Sequence, residues 1–260
     1  MSIEPGAPGC VPSAPKPRQV LALMLLNANS TLPTSEFVRE LWDDKPPASA
    51  MTTLQTYVMQ LRSGLSVALG VSRAQVARDV LVTTPVGYVF RLAHGELDLN
   101  VYQRYAVAGQ RALAAGEYPE AIRMLSNAVG LWQGPPLVDV RPGHVLQMEI
   151  RKLEESRLHT AEQLIDARMR VGHHGQILSE LTGLTAQHPM HESFHAKLML
   201  ALYRAGRRSQ ALEVFRRLRN VLVDELGLEP CPQVQVLHRA ILASDPRLDL
   251  PAWIPVPGSA

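Results

Sequence analysis

The sequence predicts a mainly α-helical protein: a winged helix-turn-helix domain with a β-hairpin wing, followed by an all-α, tetratricopeptide-like helical repeat domain. Three observations carry this reading. A long amphipathic helix runs from Ala48 to Gly70, directly behind a double proline. A strand–turn–strand run, Val80 to Leu92, follows it. Beyond Leu97 the pattern is helical throughout, and three similar segments each place a glycine (Gly116, Gly172, Gly206) before an amphipathic helix. The last two glycines lie 34 residues apart, the period of a tetratricopeptide helix pair.

Composition sets the frame. At 260 residues with 46% apolar content, the chain has room for one large domain or two small ones. No apolar run approaches the ~20 residues of a spanning helix, so no membrane association is expected. The N-terminus has neither a basic nor an apolar segment of the kind that marks secretion. Cys10 and Cys231 are too few and too far apart for a disulfide framework, which suits a cytoplasmic, nucleoid-associated protein. A net charge of +2 does not by itself argue for a nucleic-acid partner.

Taken in order, residues 1–17 form a proline-rich arm with Pro5, Pro8, Pro12, Pro15 and Pro17. The winged domain is expected over 18–96. Its first helix, Arg18 to Ala28, buries Val20, Leu21, Met24 and Leu25. Thr34 caps a second helix, and Asp43 to Pro47 stops it because consecutive prolines remove donors and force extended backbone. In the long helix from Ala48, the positions Ala50, Leu54, Val58, Leu61 and Leu65 form an inward stripe. The other side carries Thr52, Thr53, Thr56, Tyr57, Gln60 and Arg62, short or planar polar groups suited to base edges and phosphates. Residues 71–79 read as a linker, and two strands flank a turn at Pro85–Gly87. The repeat domain spans 97–245, with the excess length of its first repeat in the loop Gln133 to His144 and a closing helix at Pro232 to Leu242. A proline-rich tail, 246–260, completes the chain.

These segments resemble a known family. KPRQVLALMLLNAN, ELWDDKPPASAMTTLQTYVMQLR and TTPVGYVFRL resemble the OmpR/PhoB-type DNA-binding domain of the Streptomyces antibiotic regulatory proteins. LDLNVYQRY, AVGLWQGPPLVDV, QHPMHESFHAKLMLALYRAGRRSQALEVF and LVDELGLEPCPQVQVLHRAIL are similar to that family's bacterial transcriptional activator domain. The resemblance spans roughly residues 16–246. It implies a transcriptional activator of a secondary-metabolite gene cluster, with double-stranded promoter DNA, RNA polymerase holoenzyme and a second copy in tandem on direct repeats as partners. It implies no cofactor and no catalysis. By this likeness Thr53, Thr56, Tyr57 and Gln60 approach base edges, while Thr52, Arg62, Thr83 and Arg91 hold phosphates. The resemblance also implies a small sheet ahead of the first helix, which the arm is too short to supply in full. At the wing tip, Thr83 and Thr84 stand where many relatives carry a basic residue. No receiver domain precedes the winged part, so phosphorylation control of the usual kind has nowhere to act; regulation by abundance and regulation by a ligand in the helical domain both stay open.

Gly87 and Tyr88 read as structural, the first setting the hairpin turn. His191-Glu192-Ser193-Phe194-His195 is a literal HExxH, the spacing that can pair two imidazoles on one helix face for zinc with a general-base glutamate, and Glu213 is a nominal third ligand. Its position at a helix start after Pro189, and the shared face of His195, Leu198 and Leu202, point to architecture instead. His173 and His174 read as exposed turn residues, and Trp42 and Trp132 as core anchors. Arg207, Arg208, Arg216, Arg217 and Arg219 read as a solvated basic face. The rival to DNA binding is a repeat scaffold that binds protein alone; the remote one is a zinc hydrolase.

Overall fold

The computed structural model describes residues 12–92 and 97–249. The arm through residue 11 with Cys10, the stretch 93–96, the tail from residue 250 and the side chains of His174 and Gln176 lie outside the described residues. Packing divides the chain into two compact units, Met1–Gln103 with Gly130–Leu158, and Arg104–Val129 with His159–Ala260. A winged helix followed by helical repeats is the architecture observed.

The first unit begins with α1 (Pro15–Leu26), which starts three residues before the expected Arg18. Prolines at its opening positions cost nothing, because the first amides of a helix have no intrahelical acceptor. Val20, Leu21, Leu23 and Met24 are buried, as the apolar spacing requires. A short strand, β1 (Thr31–Pro33), comes next and was not legible as a strand. Helix α2 (Thr34–Trp42) follows without a side-chain cap: Thr34 is its first residue, and its amide donates to the Val86 carbonyl at 3.0 Å. Asp43, at φ 54°, ends it.

Helix α3 (Ala50–Leu69) starts two residues later than expected and ends on Gly70 in the left-handed conformation. Ala50, Leu54, Val58 and Leu61 are buried and Leu65 packs at the edge of the same core. The expected linker is largely helical: a single turn, α4 (Arg73–Gln75), capped by the Ser72 hydroxyl, runs into a π-helical turn, Val76–Val80. Val76, fully buried, explains the difference, since it anchors this turn under the core.

The wing consists of β2 (Leu81–Thr83) and β3 (Gly87–Phe90). β3 is the middle strand of an antiparallel sheet ordered β1-β3-β2, pairing Leu32 with Tyr88 on one side and Val82 with Val89 on the other. Gly87 is structural as expected, though through a close approach: a Cβ there would lie 2.0 Å from the Leu32 carbonyl oxygen. Tyr88, buried, meets Phe37 edge-on at 5.8 Å between ring centres.

Residues 130–158 complete this unit, and Val140 and Leu146 join its apolar core. The loop reaches α1 and α2 through polar bonds. The Arg18 guanidinium donates to the Asp139 carbonyl at 2.7 Å and the Gln19 amide to the Arg141 carbonyl at 2.5 Å. Glu40, almost fully buried, accepts from the amides of Gly143 (2.6 Å) and Leu146 (2.9 Å) at the start of α7 (His144–Arg170). It thereby caps a helix more than a hundred residues away. Burial raises the Glu40 carboxyl above its ordinary pKa, while the amides it accepts from pull the other way.

The helices of the repeat region are α5 (Asp98–Ala114), α6 (Tyr118–Gly130), α7, α8 (His174–Gln187), α9 (Glu192–Arg204), α10 (Arg208–Leu226) and α11 (Pro232–Ala243). Gly116, Gly172 and Gly206 stand in the turns of the three helix pairs at φ 76°, 82° and 74°, a backbone that side-chain-bearing residues rarely adopt. In the second unit α9 is the central helix, buried without a break from Phe194 to Leu202 and packed against α8, α10 and α11. Lys197 lies within that run. Its ammonium meets Asp166 at 2.8 Å and Glu162 at 3.7 Å, and the Ser193 hydroxyl also bonds Glu162. Burial raises the Asp166 carboxyl and Lys197 opposes that rise.

Candidate nucleic-acid interface

The inward stripe of α3 leaves the opposite side of the helix free. Met51, Thr52, Gln55, Thr56, Met59 and Gln60 are exposed along it, two adjacent rows at i, i+4 spacing. Of the residues expected from sequence, Thr52, Thr56 and Gln60 stand on this ridge. The Thr56 hydroxyl donates to the Thr52 carbonyl at 2.9 Å. Thr53 and Tyr57 are half-buried on the flank, and Tyr57 packs against the core.

Arg62 is engaged within the fold. Its guanidinium donates twice to the Leu81 carbonyl (3.0 and 2.7 Å) and once to the Thr83 hydroxyl (2.8 Å). It is thus a strut between the helix and the first strand of the wing, and it also carries Thr83. Partial burial lowers its pKa, opposed by neighbouring Tyr88. Arg91 is exposed beyond β3 and reaches the Arg78 carbonyl at 3.4 Å. Arg78 is paired with Asp79 at 3.1 Å. At the wing tip Thr84 closes the turn, bonding Gly87 through backbone and hydroxyl, and Val86 projects with 60% of its surface exposed.

Met51, Gln55 and Met59 escaped the sequence reading, although the i, i+4 series was available to find them. Attention to polar groups hid the methionines, and Gln55 adjoins the buried Leu54. The exposed face presents amide, hydroxyl and thioether groups with methyl surfaces. Over all of α3 there is no Asp or Glu, so no side chain of the helix repels a polyanion.

The other sequence motifs resolve differently. His191 precedes α9 and stacks on the Phe194 ring at 4.1 Å, while Glu192 accepts from the Cys231 amide at 2.5 Å. His195 lies inside the helix, where burial pushes its pKa down to about 4. The HExxH residues are thus engaged in packing and in a backbone contact. Among the described residues no group of three or more His, Cys, Asp or Glu is placed to hold a metal ion. Of the basic stretch, Arg208 donates to the Leu242 carbonyl, and Arg216 and Arg219 pair with Glu213 and Glu229. Arg207 and Arg217 line a cleft with His195. Trp42 packs at the edge of the first unit's core with the Lys16 ammonium over its ring, and Trp132 meets Tyr102 edge-on at 5.1 Å. No helix among the described residues is long and apolar enough to cross a membrane.

Comparison with known proteins bears on both regions. Residues 97–242 match the family described as bacterial transcriptional activator domain, and residues 9–90 match that described as transcriptional regulatory protein, C terminal. The chain is 47% identical to regulatory protein DnrI of Streptomyces peucetius over 92% of its length and 88% of that protein. It is 39% identical to regulatory protein AfsR of Streptomyces coelicolor over 90% of its length, which is 23% of that longer protein. The solved structure of Mycobacterium tuberculosis EmbR in complex with a low affinity phosphopeptide superposes with a TM-score of 0.81 at 32% identity, covering 90% of this chain and 60% of that one.

Proposed function

The chain belongs to the Streptomyces antibiotic regulatory protein family of DNA-binding transcriptional activators, and we propose that it switches on a secondary-metabolite gene cluster by reading promoter direct repeats with the exposed ridge of α3. Thr52, Thr56 and Gln60 face the base edges together with Met51, Gln55 and Met59, and Thr53 and Tyr57 flank them. Gln pairs with adenine, and methyl-bearing side chains suit the thymine methyl group. Arg91 holds a backbone phosphate beside the wing. Arg62 and Thr83 act by bracing the wing at its angle to α3. The winged part, 18–96, recognises DNA. The repeat part, 97–245, contacts RNA polymerase holoenzyme and a second copy bound in tandem. The protein works on nucleoid DNA in the cytoplasm.

A single observation carries this reading: a helix of 20 residues without one carboxylate exposes a continuous polar and methyl-bearing face beside a braced hairpin. Fluorescence anisotropy against the promoters of the neighbouring genes tests it. Binding is expected to be selective and salt-sensitive. Gln60→Ala should lose about 1–3 kcal/mol of discrimination between the preferred site and random DNA while keeping non-specific affinity. Arg62→Ala should weaken both, because a loosened wing affects every sequence alike. Absence of binding at low salt, or unchanged selectivity in Gln60→Ala, would refute the assignment.

A further inference from the structure

The first unit holds a cavity of about 90 Å³. Ala22, Leu25 and Leu26 of α1 form one wall, and Tyr102 and Trp132 form another. Leu137 sits at its edge at φ 53°, a strained backbone for a leucine. The leucines around it are half-buried, so each keeps apolar surface turned away from the packed core. Protein interiors seldom retain voids much larger than a water molecule, because unfilled apolar space forfeits packing contacts. The one charged group of the lining is Asp98.

We propose that this cavity is a binding site for a small, neutral aromatic molecule. The volume is about three-fifths of the ~150 Å³ of an engineered apolar cavity that holds benzene whole, so it seats part of one ring and the rest stays outside. Tyr102 and Trp132, edge-on to each other with the Arg157 guanidinium over the Trp132 ring, put aromatic surface into the lining. Asp98, in the lining, disfavours an anion, and Arg157, over the Trp132 ring, already donates to the Gly134 carbonyl at 3.1 Å. The ligand touches α1, the helix against which α3 packs. Occupancy therefore acts directly beneath the DNA-facing helix, and it does so whether or not the assignment of individual base contacts holds.

Trp132 supplies the reporter. In full-length protein carrying Trp42→Phe and Trp253→Phe, bromobenzene should quench Trp132 fluorescence saturably through contact with its heavy atom, and benzene should compete. 4-Bromobenzoate, the same ring with a carboxylate, should bind at least about tenfold more weakly, since its carboxylate meets the like charge of Asp98 in the lining. Leu153→Phe, which fills the cavity from α7, should abolish the saturable component with helical circular dichroism retained. If that variant fails to fold, Leu97→Phe fills the space from another wall and carries the same expectation. Quenching that stays linear with concentration, persists unchanged in the folded filled variant, or is equally strong with 4-bromobenzoate overturns the proposal.

Discussion

In the unit that carries α3, the buried polar groups are satisfied by partners far along the chain: Glu40 accepts from amides 103 and 106 residues away. In the unit that carries α9, the buried Lys197 ammonium is met by a neighbouring helix, reaching Asp166 and Glu162 on the helix pair just before it. Both units bury a charge, and they do so by different logic. The first uses a carboxylate to seat a distant helix end, so a polar bond sets its tertiary arrangement. The second places an ammonium inside an already repetitive stack, where each helix pair packs on its neighbour. Long-range closure costs loop entropy before it yields contact, whereas repeat stacking proceeds locally. The comparison implies that the two units fail independently when their buried charges are removed.

The strongest way to break it is Lys197→Ala. Leaving Asp166 and Glu162 without their cation should cost about 3–5 kcal/mol. The helical circular-dichroism transition should fall while the fluorescence of Trp42 and Trp132, both in the first unit, holds its midpoint in a Trp253→Phe background. Equal shifts in both signals would mean that the units unfold as one. Glu40→Ala is the converse, expected to cost about 2–4 kcal/mol because two amides at the start of α7 lose their acceptor. Here fluorescence should move first, and hydrogen exchange should quicken at Gly143 and Leu146. The smallest effect is a pH dependence in the second unit. His195 is held neutral in the fold, with a pKa of about 4 against 6.5 for a free imidazole. Its contribution is therefore complete above pH 6.5 and is lost as pH falls toward 4. By pH 5 the loss should reach about 2 kcal/mol, and His195→Leu should flatten that part of the stability curve without touching the fluorescence transition.

Features written in local patterns were legible from sequence. The stripe Ala50, Leu54, Val58 and Leu61 specified the buried side of α3, and the turn glycines marked each helix pair. β1 was missed because Thr31–Pro33 is three residues long and ends in proline, too short to show alternation. The Glu40 clamp joins residues with no shared periodicity, so no window on the chain contains it. For the candidate site, the inward stripe located the exposed face. The engagement of Arg62 with Leu81 and Thr83 depends instead on where the wing lies. HExxH misleads for a related reason: the spacing matches a metal motif, but the helix begins between its first histidine and its glutamate.

The chain passes from one unit to the other three times: inside α5, at the end of α6 and inside α7. A single recombination junction between a winged half and a repeat half would therefore part Glu40 from Gly143 and Leu146, whichever ancestor supplied each piece. The two halves are therefore expected to be inherited together. The match to AfsR accords with this, since nine-tenths of the present chain aligns there within less than a quarter of a longer protein, at 39% identity. Diversity in such regulators is thus expected to accumulate by adding segments around the block, with the joint between its halves left intact.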